Sequence, residues 1–478
     1  MKRIYYLQRI ILSVLLLLPL SGCFDSDINR KMYEADDDEM QRENHIVGAT
    51  LRVMQGLVSP TREHLYQFMD AMAGGAYGGY MEGIVDTWVM KFSTFNPEQG
   101  WLKSPFADPI TDLYPQYLKM LSVTDDPVAL ALGKILRVCV MHRVTDIYGP
   151  IPYSQMLSND NLGENLSVPY DSQEQVYTQM LKELEEADKV LEENKDLSSE
   201  AFRKLEDLYY GNISKWRKFL HSMQLRIAMR MSYVNPTEAQ RIAQNAVAAG
   251  VIEANEDNAM LHVAENRSEL LFNNWNDYRI SADLVSVMKG YEDPRLDAMF
   301  VKGTNVVEVD GEPKEVNDFY GVRIGIFTEK KDDMINLYSK QIISSTDPYL
   351  WMNAAEVTFL RAEGALRGWD MGGEPQALYE KAIALSFEER GATGADKYVK
   401  DALHLTRMWY KNKNVPYIRK KEIIGEWLKQ SYIRKLKISD YQLHWKDRML
   451  LHSLHMSCFI GINWIVNGKE YINSLSKE

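Results

Sequence analysis

The sequence predicts a mainly α-helical fold, an α-α superhelix of antiparallel helix pairs with a loop-rich face and at most small β-hairpins. Apolar residues recur at spacings of three and four along most of the chain, which is the period of amphipathic helices. Two helix pairs have nearly equal lengths, and the alternating pattern of a strand occurs in one short stretch. Together these observations favour stacked helical hairpins.

The composition is that of a globular protein and excludes several classes. The chain has 478 residues, 45% of them hydrophobic and 26% charged, so it can bury a sizeable core. Its formal net charge is −12, which argues against nucleic acid as a partner, because binding to a phosphate backbone needs a basic face. Cysteines occur at positions 23, 139 and 458, which is too few for a disulfide framework and fits no metal motif.

Residues 1–22 are predicted to be a signal peptide. Basic residues precede the apolar run Ile10–Leu20, which is too short to span a membrane. The run ends in Leu20-Ser21-Gly22-Cys23, a lipobox after which Cys23 would become the lipidated N-terminus. The alternative is a plain signal peptide with a coincidental cysteine. With the lipid, the protein would attach to the membrane without spanning it.

Residues 23–45 are predicted to be a tether, because they are polar and lack apolar periodicity. The acidic run Asp36–Glu39 could suggest a calcium site. It lacks the glycine and the spaced ligands of a calcium loop, so we interpret it as a solvated charge run. No metal and no cofactor are expected.

The first predicted helices lie between residues 126 and 191. A buried helix runs from Asp126 to His142 with Pro127 in its first turn, and the prolines and glycine of Thr145–Tyr153 predict an ordered turn after it. Asp171 is predicted to open an amphipathic helix over Gln173–Leu191.

Two helix pairs follow. Their lengths are close to the period of about 34 residues that tetratricopeptide hairpins have. Between them, an alternating run over residues 306–311 ends in a turn signal and predicts a small β-hairpin. The predicted pairs are Ile213–Met231 with Thr237–Ala249, and Met352–Arg367 with Pro375–Phe387.

Residues 70–117 are rich in glycine and aromatic residues and are predicted to be an adaptable loop surface. By contrast, Trp216 and Trp351 lie within helical patterns and are predicted to be core residues. The candidates for ligand contact are Tyr77, Tyr80, Trp88 and Trp101, followed by Trp275, Tyr278 and Tyr320.

A series of ordered motifs follows the lipobox. The motifs are Ala131–Leu136, Thr145–Tyr153, Val168–Glu174, Lys215–Leu220, Leu225–Arg230, Asp293–Leu296, Ala355–Glu363 and Gly368-Trp369. Together they closely resemble the SusD/RagB family of outer-membrane nutrient-binding lipoproteins. The resemblance covers about residues 20 to 390.

The resemblance implies a tetratricopeptide-like superhelix over residues 46–410, which would sit as a lid over a SusC-like TonB-dependent transporter in the outer membrane. It also implies that the ligand is an oligosaccharide or another oligomeric nutrient. Flat aromatic rings can stack on the apolar faces of sugars, and such a site needs no catalytic base. The family does not hold its ligand aromatics at fixed motif positions, so none is carried over.

An enzyme is not expected, because the chain has no phosphate-binding loop, nucleophile elbow or HExxH motif. Cys139 and His142 share a helix face, but a small buried apolar role is the favoured interpretation of Cys139. Two alternatives stay open. One is a protein-binding scaffold, and the other is a glycan hydrolase, which needs only two placed carboxylates.

The C-terminal segment 411–478 departs from the family pattern. It is strongly basic up to residue 437 and apolar over Met449–Val466. The family's usual ending is absent after Trp409. We therefore predict an atypical tail that packs poorly, and a contact of its basic part with anionic lipid or the transporter stays open.

Overall fold

The computed structural model describes residues 45–157, 168–197, 203–309 and 311–400. The predicted lipidation site Cys23, nearly all of the predicted tether and the predicted tail 411–478 lie outside these residues.

The described residues form a predominantly helical fold. The segment Gln67–Gly75 is a π-helix, and short 3₁₀ turns occur at Phe92–Thr94, Asn255–Asp257 and Arg267–Glu269. In none of the described helices is there an apolar stretch long enough to cross a membrane. The α-helices in chain order are α1 (His45–Val58), α2 (Glu63–Tyr66), α3 (Gln99–Val123), α4 (Pro127–Tyr148), α5 (Gln173–Glu193), α6 (Ile213–Met231), α7 (Pro236–Ala249), α8 (Leu270–Asn273), α9 (Ala282–Gly290), α10 (Arg295–Met299), α11 (Asp332–Ile335), α12 (Ala354–Leu366), α13 (Pro375–Glu389) and α14 (Ala395–Lys400).

The predicted helical hairpins are confirmed. Helix α4 packs on α5, α6 on α7, and α12 on α13, and the pairs meet where α5 and α12 contact α6. The second helices of the last two pairs begin at Pro236 and Pro375, which suit the first turn of a helix because their missing N–H groups have no partner there. Trp216 and Trp351 are buried in the core, as predicted, but Trp351 lies in the strand Tyr349–Met352 and not in a helix.

The strands are short and pair two by two: β1 with β3, β2 with β8, β4 with β7, and β5 with β6. Only β5 and β6 form the predicted hairpin, which turns at Gly311 (φ 84°). The other three pairs join segments that are far apart in the chain. The strands are β1 (Met81–Gly83), β2 (Ala259–Leu261), β3 (Tyr278–Ile280), β4 (Phe300–Val301), β5 (Gly303–Val309), β6 (Glu312–Asp318), β7 (Lys340–Gln341) and β8 (Tyr349–Met352).

Three local predictions need correction. Residues 70–117 are not one loop surface, because the π-helix and α3 occupy both ends and leave 76–98 between them. Three prolines inside α3 hide its helical pattern in the sequence. Helix α4 does not end at His142 as predicted. It continues to Tyr148, inside the segment predicted to be a turn, and Gly149 ends it with φ 76°. Ser172, not Asp171, caps α5, while Asp171 accepts hydrogen bonds from Ser154.

A buried arginine joins the two central hairpins. Arg226 of α6 donates two hydrogen bonds of 2.8 Å to the carboxylate of Glu356 at the start of α12. It also donates to the carbonyl of Trp351 at 3.1 Å. Both charged side chains are buried, so each neutralises a charge that would otherwise be costly in the core.

A second buried arginine fixes the segment that follows α4. Arg137 contacts the carboxylate of Glu183 at 3.1 Å and the carbonyl of Tyr153 at 2.8 Å. Its guanidinium also lies 4.1 Å from the centre of the Tyr153 ring, whose hydroxyl donates to Glu183 at 2.7 Å. The segment after α4 is therefore anchored between α4 and α5, in agreement with the ordered turn predicted there.

Cys139 is buried among the helices, as predicted. Burial raises the pKa of its thiol to about 12, so the thiolate that a nucleophile requires is disfavoured. His142 lies three residues after Cys139 on α4 and is equally buried. Its Nε2 lies 3.5 Å from the Asp146 carboxylate, and its ring stacks on that of Tyr177. Burial lowers the pKa of His142 to about 4.

We expect Arg226→Met to lower the free energy of unfolding by about 3–5 kcal/mol, because the Glu356 carboxylate would stay buried without its partner. Denaturant unfolding followed by circular dichroism measures the change. The control is Arg241→Met, since Arg241 forms an exposed ion pair with Glu238 and should contribute less than about 1 kcal/mol. Equal effects of the two variants would contradict the structural role of Arg226.

We expect His142 to make the fold less stable at mildly acidic pH. The folded protein keeps this imidazole neutral down to about pH 4, whereas the unfolded chain takes up a proton below its ordinary pKa of 6.5. The unfolded state therefore binds more protons in this window, and stability falls as pH falls, by about 2 kcal/mol between pH 7 and pH 5 from this group.

The measurement is the free energy of unfolding at pH 7 and at pH 5 for the wild-type protein and for His142→Gln. The variant should show a smaller loss between the two values, whatever its absolute stability. An unchanged loss would mean that His142 is not the group that titrates.

Candidate functional site

The pairing of β1 with β3 positions the first candidate side chain, Trp88. Gly83 lies opposite Tyr278 in this pair, and the amide of Ile84 donates to the carbonyl of Asp277 at 2.8 Å. A Cβ atom on Gly83 would lie 3.0 Å from the Trp88 ring. Gly83 therefore leaves the space in which Trp88 packs against the strand.

Trp88 belongs to a contiguous group of rings, here called the aromatic cluster. Its ring centre lies 5.4 Å from that of Trp101 and 5.9 Å from that of Tyr278. The cluster continues from Trp101 to Phe68 on the π-helix at 6.1 Å and from Tyr278 to Phe272 on α8 at 6.1 Å. Trp88 and Trp101 are half-buried, so part of each indole faces outward.

A buried ion pair lies beside the aromatic cluster. The Lys91 ammonium contacts the Glu82 carboxylate at 2.7 Å and donates to the carbonyls of Gly83 at 3.1 Å and Ile326 at 2.8 Å. The carboxylate also accepts from Ser93 Oγ at 2.9 Å and from the amide of Gly325 at 2.8 Å. The network thus joins β1 to the segment that follows it, which carries Lys91 and Ser93. It also joins β1 to a loop that is distant in the chain, which carries Gly325 and Ile326.

The turn after Lys91 carries Phe92 and Phe95, and the rings of both contact that of Tyr77. Phe92 is buried, and Tyr77 packs edge-on against it at 6.0 Å. Tyr77 also lies 5.5 Å from the ring centre of Phe95, with 35° between the two planes. Phe95 is 81% exposed and has φ 60°, a left-handed backbone conformation that bulky residues rarely adopt.

Trp275 is held in a separate contact. Its ring stacks on His64 of α2 with 5.7 Å between centres and 26° between planes. Lys331 donates to the Trp275 carbonyl at 2.6 Å and pairs with the Asp277 carboxylate at 2.5 Å. This places a half-buried indole and an exposed imidazole next to the segment that leads into β3.

Three candidates lie elsewhere or are buried. Tyr80 is in a separate core cluster with residues of β3, α9 and α10, where it is too buried to contact a ligand. Tyr278 is 1% exposed, and its ring packs against that of Trp88. Burial raises the pKa of its hydroxyl. Tyr320 is half-buried, 5.6 Å from the Lys289 ammonium, in a contact that involves none of the other candidates.

The sequence did not single out the Glu82–Lys91 pair, Phe68 or Phe95. Nothing in the order of residues shows that Glu82 meets the amide of Gly325, because the two are 243 residues apart. The left-handed conformation of Phe95 likewise has no sequence signal, since glycine and asparagine are the residues that usually adopt it.

The chemistry of this region suits binding. The two carboxylates that adjoin the cluster, Glu82 and Asp277, are each paired with a lysine. Within the described parts of the chain there is no group of histidine, cysteine, aspartate and glutamate side chains that could hold a metal ion. Within the aromatic cluster, Trp88, Trp101 and Phe68 are half-buried, whereas Tyr278 and Phe272 are buried.

Comparison with known protein families identifies one match. The model of the SusD-like family, described as SusD and RagB outer membrane lipoprotein, matches residues 27–431. The matched range continues beyond residue 410, the end predicted for the helical domain. No match was found among curated proteins.

Three solved structures illustrate the similarity. A SusD homologue from Bacteroides thetaiotaomicron is 52% identical over 74% of this chain and 72% of its own, with a TM-score of 0.69. One from Bacteroides uniformis is 32% identical over 88% and 85%, with a TM-score of 0.71. A chitin-binding SusD homologue from Flavobacterium johnsoniae is 34% identical over 75% and 73%, with a TM-score of 0.66.

The family model and the solved SusD homologues thus match most of the chain. On this basis, the chain belongs to the SusD-like family of outer membrane lipoproteins.

Proposed function

We propose that this protein binds an oligosaccharide on the aromatic cluster and delivers it to a SusC-like TonB-dependent transporter in the outer membrane. The observation that carries the proposal is the contact between Trp88 and Trp101, two half-buried indoles whose ring centres lie 5.4 Å apart. Indole rings offer flat apolar surfaces on which the C–H faces of sugar rings stack. Delivery, not catalysis, is the activity proposed.

The rigidity of the cluster supports a binding role. Trp88 is backed by Gly83 and Tyr278, and Lys91 and Glu82 fix the loop that carries it. A ligand would therefore meet rings that are already in place, which lowers the entropic cost of binding.

The relatives support the choice of ligand class and partner. A 34% identical structure is that of a chitin-binding SusD homologue, so chitin oligosaccharides are the first ligands to test. Membership of a family of outer membrane lipoproteins supports the predicted lipid on Cys23 and a position at the cell surface, where a barrel transporter would receive the ligand.

We expect Trp88→Ala to weaken binding by about 1 kcal/mol or more, because the variant loses a stacking surface. Calorimetric titration of the mature protein with a panel of chitin, maltose, xylose and mannose oligosaccharides measures the affinity. Trp88→Tyr keeps a ring and should retain part of it.

Tyr233→Ala is the control, since Tyr233 is an exposed aromatic residue next to Arg367 at the end of α6 and away from the aromatic cluster. Thermal unfolding should show that both alanine variants are folded. Unchanged affinity of Trp88→Ala would rule out the cluster as the ligand site, and release of shorter sugars during the titration would show hydrolysis and contradict a pure binding function.

We expect Cys23→Ser to release the protein from the membrane, because the acyl chains are the proposed attachment. Detergent phase partitioning and mass spectrometry of the purified protein measure the anchor. The control is Cys139→Ser, which changes a buried cysteine and should leave partitioning unaltered. Mass spectrometry also shows whether residues 1–22 have been removed, and a Cys23→Ser protein that still partitions with detergent after their removal would contradict the lipid anchor.

A further inference from the structure

We propose that Phe95 and Tyr77 form a second stacking subsite, which binds a further sugar ring of the same oligosaccharide that occupies Trp88. The inference rests on the proposed function. It concerns a pair of rings that has no contact with the aromatic cluster among the ring contacts of the described residues.

The first step of the argument is the exposure of Phe95. At 81%, its ring is more exposed than any other large hydrophobic side chain among the described residues. Tyr77 covers one side of it at 5.5 Å and leaves the remainder open. A phenyl ring held in this way contributes little to the core and presents a flat apolar surface to a ligand.

The second step is the conformation of the backbone. Phe95 ends the 3₁₀ turn Phe92–Thr94 with φ 60°, a position that favours glycine or asparagine. Residues persist in sparsely populated conformations when the surrounding structure enforces them, and they concentrate at ligand sites. Phe95 thus holds an uncommon conformation although its side chain buries almost nothing.

The surroundings do enforce this conformation. The amide of Phe95 donates to the carbonyl of Phe92 at 2.9 Å, and the amide of Lys91 donates to Thr94 Oγ1 at 3.2 Å. Lys91 itself is held by the buried carboxylate of Glu82 at 2.7 Å. The backbone of the turn that carries Phe95 is thus fixed, and the Phe95 ring contacts that of Tyr77.

The same strand supports both subsites. Trp88 packs on Gly83, whose carbonyl accepts from Lys91, and Lys91 begins the turn that carries Phe95. Thr94 and Asn96, the chain neighbours of Phe95, are exposed, and their side chains are hydrogen-bonded to each other.

Another strained aromatic residue provides a matched control. Tyr210 has φ 51° and is 51% exposed. The buried Glu206 carboxylate fixes the backbone around it by accepting from the amides of Leu208, Tyr209 and Gly211. The Tyr210 ring contacts that of His262, which is not one of the candidate ligand residues. We therefore expect no ligand at Tyr210.

The experiment compares Phe95→Asn with Phe95→Trp and Tyr210→Asn in the mature protein. Asparagine tolerates the left-handed conformation, so Phe95→Asn removes the ring without disturbing the turn. Calorimetry measures the affinity for disaccharides and hexasaccharides of whichever series in the panel the wild-type protein binds. Thermal unfolding should show that Phe95→Asn is at least as stable as the wild-type protein.

We expect Phe95→Asn to weaken hexasaccharide binding about three- to tenfold and to leave disaccharide binding unchanged, since only the longer ligand would reach both subsites. Phe95→Trp and Tyr210→Asn should bind like the wild-type protein. Unchanged hexasaccharide affinity in Phe95→Asn, with weakened binding in Trp88→Ala, would overturn the second subsite and leave the proposed function intact.

Two further results would also decide the matter. An equal loss for short and long ligands would mean that Phe95 belongs to the Trp88 subsite, which contradicts a separate one. If the wild-type protein binds no sugar of the panel, the proposed function and this inference both fail.

Discussion

The carboxylate of Glu82 is the group on which the loop-bearing face depends. It is 1% exposed and accepts hydrogen bonds from Ser93 and Gly325 in addition to its ion pair with Lys91. The ammonium has three donors, and all three are used, because it also donates to two backbone carbonyls. A buried ion pair is stable only when its remaining hydrogen-bonding groups are satisfied, and here they are. Loops without regular secondary structure thereby gain fixed positions relative to β1.

The helical part of the protein uses the same device at a larger scale. Arg137 and Arg226 are buried, and each joins elements through a carboxylate and a backbone carbonyl. Alternative packings of these helices are disfavoured where they would leave one of these buried charges without its partner. The hairpins thus form a rigid support, and the surface that varies with ligand can be confined to loops.

The helical hairpins could be predicted from the sequence because their apolar period is regular and their ends carry proline and glycine. Helix α3 could not, because Pro105, Pro109 and Pro115 interrupt the pattern while neighbouring elements keep the segment helical. The candidate aromatics were predicted as a group, but their burial was not. Tyr278 lies in a strand of three residues that is buried on both faces. Such a strand shows no alternation of apolar and polar residues in the sequence. The contact of Trp88 with Trp101 is tertiary and depends on the space that Gly83 leaves.

The hairpin β5–β6 differs from the rest of the fold in how little it buries. Most side chains of β6 are exposed, and Val306 on β5 is 59% exposed. Local opening requires little free energy where few apolar contacts are lost, whereas amides in the helical core become accessible only when the whole domain unfolds. Amide hydrogen exchange would therefore separate the chain into two classes. The amides of this hairpin would exchange through local fluctuations, and those of α4, α6 and α12 would report the global stability.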